Sequence, residues 1–145
     1  MRSKRFRPIV QHAQRLEQDA AKALGQAQRG VTDAELRLKQ LRDYRQEYAQ
    51  RFTQQGAQGL SAEQLLDYRS FMEKLNVAIV QQQQNVVRAE QAMHQCRQYW
   101  FARRGRSKLL DNVLDRYVHA EVSQASKKEQ REMDDRSTCP SWSDD

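Results

Sequence analysis

No proline lies between Pro8 and Pro140, so 131 consecutive residues, Ile9 to Cys139, contain nothing that must break a helix. Few folds are compatible with so long a permissive stretch. A sandwich or a doubly wound sheet needs Val/Ile-rich runs punctuated by turns. Here β-branched apolar residues are scarce, whereas Gln occurs 21 times and Ala 15 times. Only 38% of the 145 residues are hydrophobic, too few to fill a compact core easily. An elongated helical assembly is the expected alternative. No run of about 18 apolar residues occurs, so no transmembrane segment is expected. The start also lacks the pattern of a secretory signal peptide. A chain that stays inside the cell would keep its two cysteines, Cys96 and Cys139, reduced.

One internal break is evident, in Gln54-Gln55-Gly56-Ala57-Gln58-Gly59-Leu60-Ser61. Gly56 is placed like the left-handed glycine that ends a helix. Ser61, with Gln64 three residues on, reads as a capping box, and Leu60 with Leu65 as a hydrophobic staple. The expected organisation is helix 1 over about 8–55 with Pro8 in its first turn, a turn at 56–61, helix 2 over about 62–125, and a flexible polar tail over 126–145. Helix 2 carries a 3,4 alternation through Leu65, Tyr68, Met72, Leu75, Ile79, Gln82, Val86, Ala89, Met93, Cys96 and Trp100, resuming at Leu110, Leu114 and Tyr117. Helix 1 carries Ala13, Leu16, Ala20, Ala23, Ala27, Val31, Ala34, Leu38, Leu41, Arg45, Tyr48 and Phe52, with a stutter at Ala27–Val31. The fold class is therefore all-α: a long two-helix antiparallel coiled-coil hairpin with a disordered C-terminal tail. Closing the turn over residues 56–61 puts Phe52 opposite Leu65, Leu41 opposite Leu75, and Pro8 near Lys108. That register leaves Leu109, Leu110, Val113, Leu114, Tyr117 and Val118 uncovered. Such a stripe serves a partner, packs on a second copy, or frays.

The net charge of +6 is unevenly spread. Residues 1–15 hold Arg2, Lys4, Arg5, Arg7 and Arg15, and residues 97–108 hold Arg97, Arg103, Arg104, Arg106 and Lys108, with no acid in either segment. The remainder has 15 bases against 19 acids, a net of −4. A hairpin would gather both segments at its open end as a basic tip. That tip either steers the molecule toward an acidic surface or nucleic acid, or is simply a solvated end. No docking motif for nucleic acid is present, and a basic zipper needs parallel helices, so no nucleic-acid partner is expected.

Near the turn, Tyr44 and Phe71 fall beside the seam, in the series Leu41-Tyr44-Tyr48 and Phe71-Leu75-Ala78. Aromatics flanking a narrow seam either form a protein-binding patch or broaden the core at the turn. Chemistry is otherwise absent from the pattern. His12, His94 and His119 have no companions at ligand spacing, so no metal is expected. There is no GxxxxGK[ST] loop and no nucleophile–base grouping, so neither a cofactor nor an enzymatic role is expected.

The segment Leu38-Lys39-Gln40-Leu41-Arg42-Asp43-Tyr44-Arg45-Gln46-Glu47-Tyr48 resembles the L-x-x-L-x-x-Y-x-x-E-Y signature of the flagellar export protein FliJ family. The Gly-rich turn follows. Tyr68 to Leu75 with Ala78, Ile79 and Gln82 is then similar to that family's Y-x-x-F-x-x-x-L-x-x-A-I-x-x-Q stretch. The resemblance extends over about residues 5–120, with Arg37 standing where Gln is common and Gln82 where His can also occur. It implies a component of the flagellar type III export apparatus that is cytoplasmic and peripherally associated with the inner membrane. It further implies a stalk-like coiled coil, similar to the γ subunit of rotary ATP synthases. The implied partners are the hexameric export ATPase, the cytoplasmic domain of the export gate FlhA, and export chaperones. Carried onto this chain, the gate-binding residues are Leu41, Tyr44, Tyr48, Phe71, Leu75 and Ala78. The ATPase-binding set at the termini is Arg5, Arg7, Arg103, Arg104, Arg106, Leu110 and Leu114. The alternatives are the equivalent stalk of a virulence type III secretion system and a coiled-coil adaptor with no secretion role.

Overall fold

The computed structural model describes residues 1–138 and consists of two helices, α1 (Arg2–Gly56) and α2 (Ala62–Thr138), packed against each other in antiparallel fashion. The capping box forms as expected at the start of α2. Gln64 N–H donates to Ser61 Oγ at 3.1 Å, and the Gln64 side-chain carbonyl accepts from Ser61 N–H at 3.0 Å. Two first-turn groups that a bare helix start would leave unpaired are thus satisfied reciprocally.

The stop signal works differently from expectation. Gly56 is the last helical residue, and the left-handed position is Gly59, at φ +90°. Gln58 N–H reaches the Gln55 carbonyl at 3.0 Å and Gly59 N–H reaches that of Gly56 at 3.2 Å. The end of α1 therefore tightens into i→i+3 bonds, and the reversal of the backbone falls three residues later.

The chain divides into two compact units. One is Ala20–Trp100, which contains the turn. Leu75 and Ile79 are buried there, the other seam positions from Tyr68 to Trp100 are half-buried, and Leu65 before them is exposed. On α1 the seam runs through Ala20, Leu24, Ala27, Val31 and Ala34, with Ala23 exposed. These spacings alternate four and three, so the expected stutter at Ala27–Val31 is absent: the larger Leu24 takes the inward position in place of Ala23. Gln82, a polar seam residue, donates from Nε2 to the Ala34 carbonyl at 2.9 Å and accepts from Asn85 at 3.1 Å, so its burial is paired.

The other unit is Met1–Asp19 with Phe101–Asp145, of which residues 139–145, including Cys139, lie outside the described residues. Val10, Ala13, Ser3 and Ser107 are buried. α1 starts at Arg2, so Pro8 sits inside the helix, one turn beyond the position expected, and withholds the N–H that would bond Lys4. Tertiary ties hold the six residues ahead of it. Phe6 meets Tyr117 edge-on at 5.5 Å and 89°, and Ser3 hydrogen-bonds Glu121. Those contacts correct the register expected here, because Phe6 faces Tyr117 and Pro8 is not level with Lys108. They also cover the stripe expected to be bare: Leu110, Val113, Leu114, Tyr117 and Val118 are half-buried, and only Leu109 stays exposed. Residues 126–138, expected as flexible tail, continue α2 although every side chain from Val122 to Ser137 is exposed. Ala125, Lys127, Lys128, Glu129, Gln130, Arg131 and Glu132 are strong helix formers, and Lys128 with Glu132 is an opposite-charge pair one turn apart.

The turn geometry separates two substitutions by sign. Gly56→Ala should stabilise the protein by about 0.5–1 kcal/mol, since the added methyl meets only Leu60 Cδ1 at 3.6 Å within helical backbone. Gly59→Ala, at φ +90°, should destabilise it by about 1 kcal/mol. Urea unfolding followed by circular dichroism checks both, and the opposite signs would return the left-handed position to Gly56.

Candidate functional site

In the unit Ala20–Trp100, α1 repeats aromatics at i, i+4 and i+8 (Tyr44, Tyr48, Phe52), so all three fall on one face. α2 answers with Tyr68 and Phe71, three apart. The five rings form one connected cluster. Phe52 stacks on Tyr68 with centroids 3.6 Å apart at 12°, and Tyr68 stacks on Tyr48 at 5.6 Å and 12°. Tyr48 in turn meets Phe71 at 4.5 Å and Tyr44 at 6.4 Å, and Tyr44 meets Phe71 edge-on at 6.0 Å and 76°. The Tyr44–Phe71 contact has the edge-to-face geometry that ring quadrupoles favour, whereas Phe52 and Tyr68 lie nearly face to face. Phe52 was expected to face Leu65. It stacks on Tyr68 instead, while Leu65 stays 39% exposed, because the larger flat ring gives the better contact.

The cluster is only partly covered. Tyr44 is 46% exposed, and Tyr48, Phe52, Tyr68 and Phe71 are half-buried. Leu75, one turn after Phe71, is buried at 7% exposure, and Leu41 and Ala78 are half-buried. Of the six residues expected at the gate, Tyr44, Tyr48 and Phe71 are therefore directly joined as rings. Alongside, Arg45 Nη1 donates to Asn76 Oδ1 at 3.0 Å, which ties the two helices where the rings end.

The terminal set lies in the other unit. Arg5, Arg7 and Arg106 are exposed, whereas Arg103, Arg104, Leu110 and Leu114 are half-buried. With Phe6 level with Tyr117, the bases of residues 2–7 run beside the Tyr117–Glu121 segment rather than beside Arg103–Lys108. The bases of residues 2–7 are offset from Arg103–Lys108 by about 13 residues, or about 20 Å of helix, so these two runs do not meet in the single basic tip expected from the sequence.

Glu121 was not singled out by the sequence reading. Its carboxylate accepts from Ser3 Oγ at 2.5 Å and from Ser3 N–H at 3.1 Å. The Ser3 hydroxyl and then the Ser3 N–H hold the Glu121 carboxyl below its ordinary range. Desolvation opposes them, and the Met1 amino group and Arg7 assist. A signal for this pairing was available: the first turn of α1 contains no acid, so its unpaired N–H groups and positive dipole end required an anion from elsewhere. Which acid would supply it depends on register.

Among the described residues, no group of His, Cys, Asp and Glu is placed to hold a metal ion, and no helix is long and apolar enough to cross a membrane. The features define a two-helix antiparallel coiled coil carrying a partly exposed aromatic cluster beside its turn. The sequence model of the flagellar FliJ protein family matches residues 2–142, and the chain belongs to that family. It is 27% identical over 117 residues to the flagellar FliJ protein of Salmonella typhi, covering 81% of this chain and 80% of that protein. The corresponding protein of Escherichia coli (strain K12) is also 27% identical, over 118 residues and with the same shares covered.

The ring cluster predicts unequal losses of stability. Tyr48→Ala, which removes the ring touching three others, should cost about 2–4 kcal/mol, and Tyr44→Ala about 1 kcal/mol or less. Denaturant midpoints measure the difference, and comparable losses would mean that Tyr44 is a core residue.

Proposed function

We propose that this chain is a component of the flagellar protein export apparatus that works as a stalk-like coiled coil, binding and stimulating the hexameric export ATPase and contacting the export gate FlhA. Membership of the flagellar FliJ family supports the export role. The observation that carries the finer reading is the partly exposed ring cluster, which assembles Tyr44, Tyr48 and Phe71 at the positions where the chain resembles the family's signature. Exposed tyrosines are effective anchors, since they offer a large rigid surface with a polar tip at little cost in side-chain entropy. In this reading Leu41, Tyr44, Tyr48, Phe71, Leu75 and Ala78 form the gate-facing group. Arg5, Arg7, Arg103, Arg104, Arg106, Leu110 and Leu114 serve the ATPase, and export chaperones are further partners. The protein acts at the cytoplasmic side of the inner membrane as a peripheral subunit, and not as an enzyme.

The mechanism is coupling by differential contact. A two-helix element with different faces cannot touch six identical subunits alike, so it favours one subunit conformation over the others. The free energy available is limited to the difference between those contacts.

Replacing Tyr44 and Phe71 together by Ala should weaken binding to the purified gate domain at least tenfold in calorimetry, with helicity and ATPase stimulation retained. Reversing Arg5, Arg7, Arg103 and Arg104 to Glu should abolish stimulation with gate binding retained. If the ring variant loses ATPase stimulation instead, the assignment of partners to surfaces is wrong.

A further inference from the structure

The geometry points to Glu121 as a positioning residue that clasps the first turn of α1 onto α2 and thereby holds Arg5 and Arg7 in place, an inference that rests on the ATPase-binding role proposed above for those arginines. Four observations converge on it. α1 begins with Arg2, Lys4, Arg5 and Arg7 and no acid, an arrangement that opposes its own helix dipole. Pro8 removes the hydrogen bond that would tie Lys4 to the turn beyond it, so the first six residues are weakly bound to the rest of their helix. Ser3 is nevertheless buried, at 6% exposure, and its N–H and Oγ–H both donate to the two oxygens of Glu121. Phe6, one turn on, packs edge-on against Tyr117, one turn before Glu121 on α2.

Glu121 thus supplies across the helix pair what α1 lacks locally: a capping acceptor and a negative charge at its N-terminus. Arg7 lies one turn after Ser3 and attracts the same carboxylate. Arg5 and Arg7 are both exposed, and Arg7 is the one whose charge favours the ionised carboxylate. Hydrogen bonds to an ionised acceptor are about twice as strong as neutral ones, so the clasp weakens when Glu121 is neutral. Because the folded carboxyl titrates below its ordinary 4.5, the stabilisation is fully present above that pH and is lost as the pH falls through the lowered value.

The test uses the full chain and Glu121→Gln, which keeps the shape and removes the charge. Amide exchange of Ser3, Phe6 and Arg7 should accelerate roughly tenfold while that of Leu75 and Ile79 is unchanged. Stimulation of the export ATPase should fall in parallel. Combining Glu121→Lys with Ser3→Asp, which reverses the pair and caps α1 with its own acid, should restore both. Wild-type protein should lose protection at the same three amides only below pH 4.5. Unchanged exchange in Glu121→Gln overturns the clasp. Accelerated exchange with unchanged stimulation overturns the positioning role, provided that Arg5→Glu abolishes stimulation. If Arg5→Glu leaves stimulation intact, the proposed ATPase role of these arginines fails, and the positioning role fails with it.

Discussion

Two helices pairing along one seam can each bury only a single stripe, and everything else in this molecule follows from that limit. Among the described residues only Val10, Ala13, Ala20, Leu75 and Ile79 are buried apolar side chains, and none of the large ones is fully enclosed. Burial worth about 25 cal/mol per Å² is therefore spread thinly along the seam, with no single centre holding the fold. Polar seam positions become affordable only when they are paired, as with Gln82 on the Ala34 carbonyl and Ser3 on Glu121. Where the seam receives large rings instead of small aliphatics, the excess volume has nowhere to go but outward. For that reason Tyr44 is exposed and the rings beside it are only half-buried.

The same limit explains why each unit needs ties of its own. Beside the turn, five rings and the Arg45–Asn76 bond hold α1 to α2. At the termini the work is done by Phe6–Tyr117 and by the Ser3–Glu121 bonds, which stabilise a segment that local propensity alone would leave frayed beyond Pro8. The interactions differ in kind. Ring contacts change little with salt or pH, whereas a carboxylate at a helix start responds to both.

Much of this was legible in the residues. The absence of proline and the 3,4 spacing indicated two long helices, and Ser61 with Gln64 located the start of the second, because capping depends on neighbours a few residues apart. The cluster around Tyr44 and Phe71 was visible as flanking aromatics for the same local reason. What escaped was set by contacts between residues far apart in the chain. Leu24 replaced Ala23 in the seam through size and fit, and Phe52 moved from Leu65 to Tyr68 through ring stacking. The helix over residues 126–138 is the exception, with a local cause: charged side chains with high helix propensity need no buried face.

Composition and periodicity determined the class of fold, the place of the turn and the aromatic series, since each is encoded within a few turns of one helix. Tertiary structure decided the register at the termini, and with it the fate of the charges. Pairing Phe6 with Tyr117 covered the stripe at Leu110–Val118, separated the two basic runs that a different alignment would have merged, and brought Glu121 to Ser3. A heptad seam repeats every seven residues and so permits several alignments of nearly equal apolar burial. The choice among them falls to specific pairs, and only the folded chain shows which pairs meet.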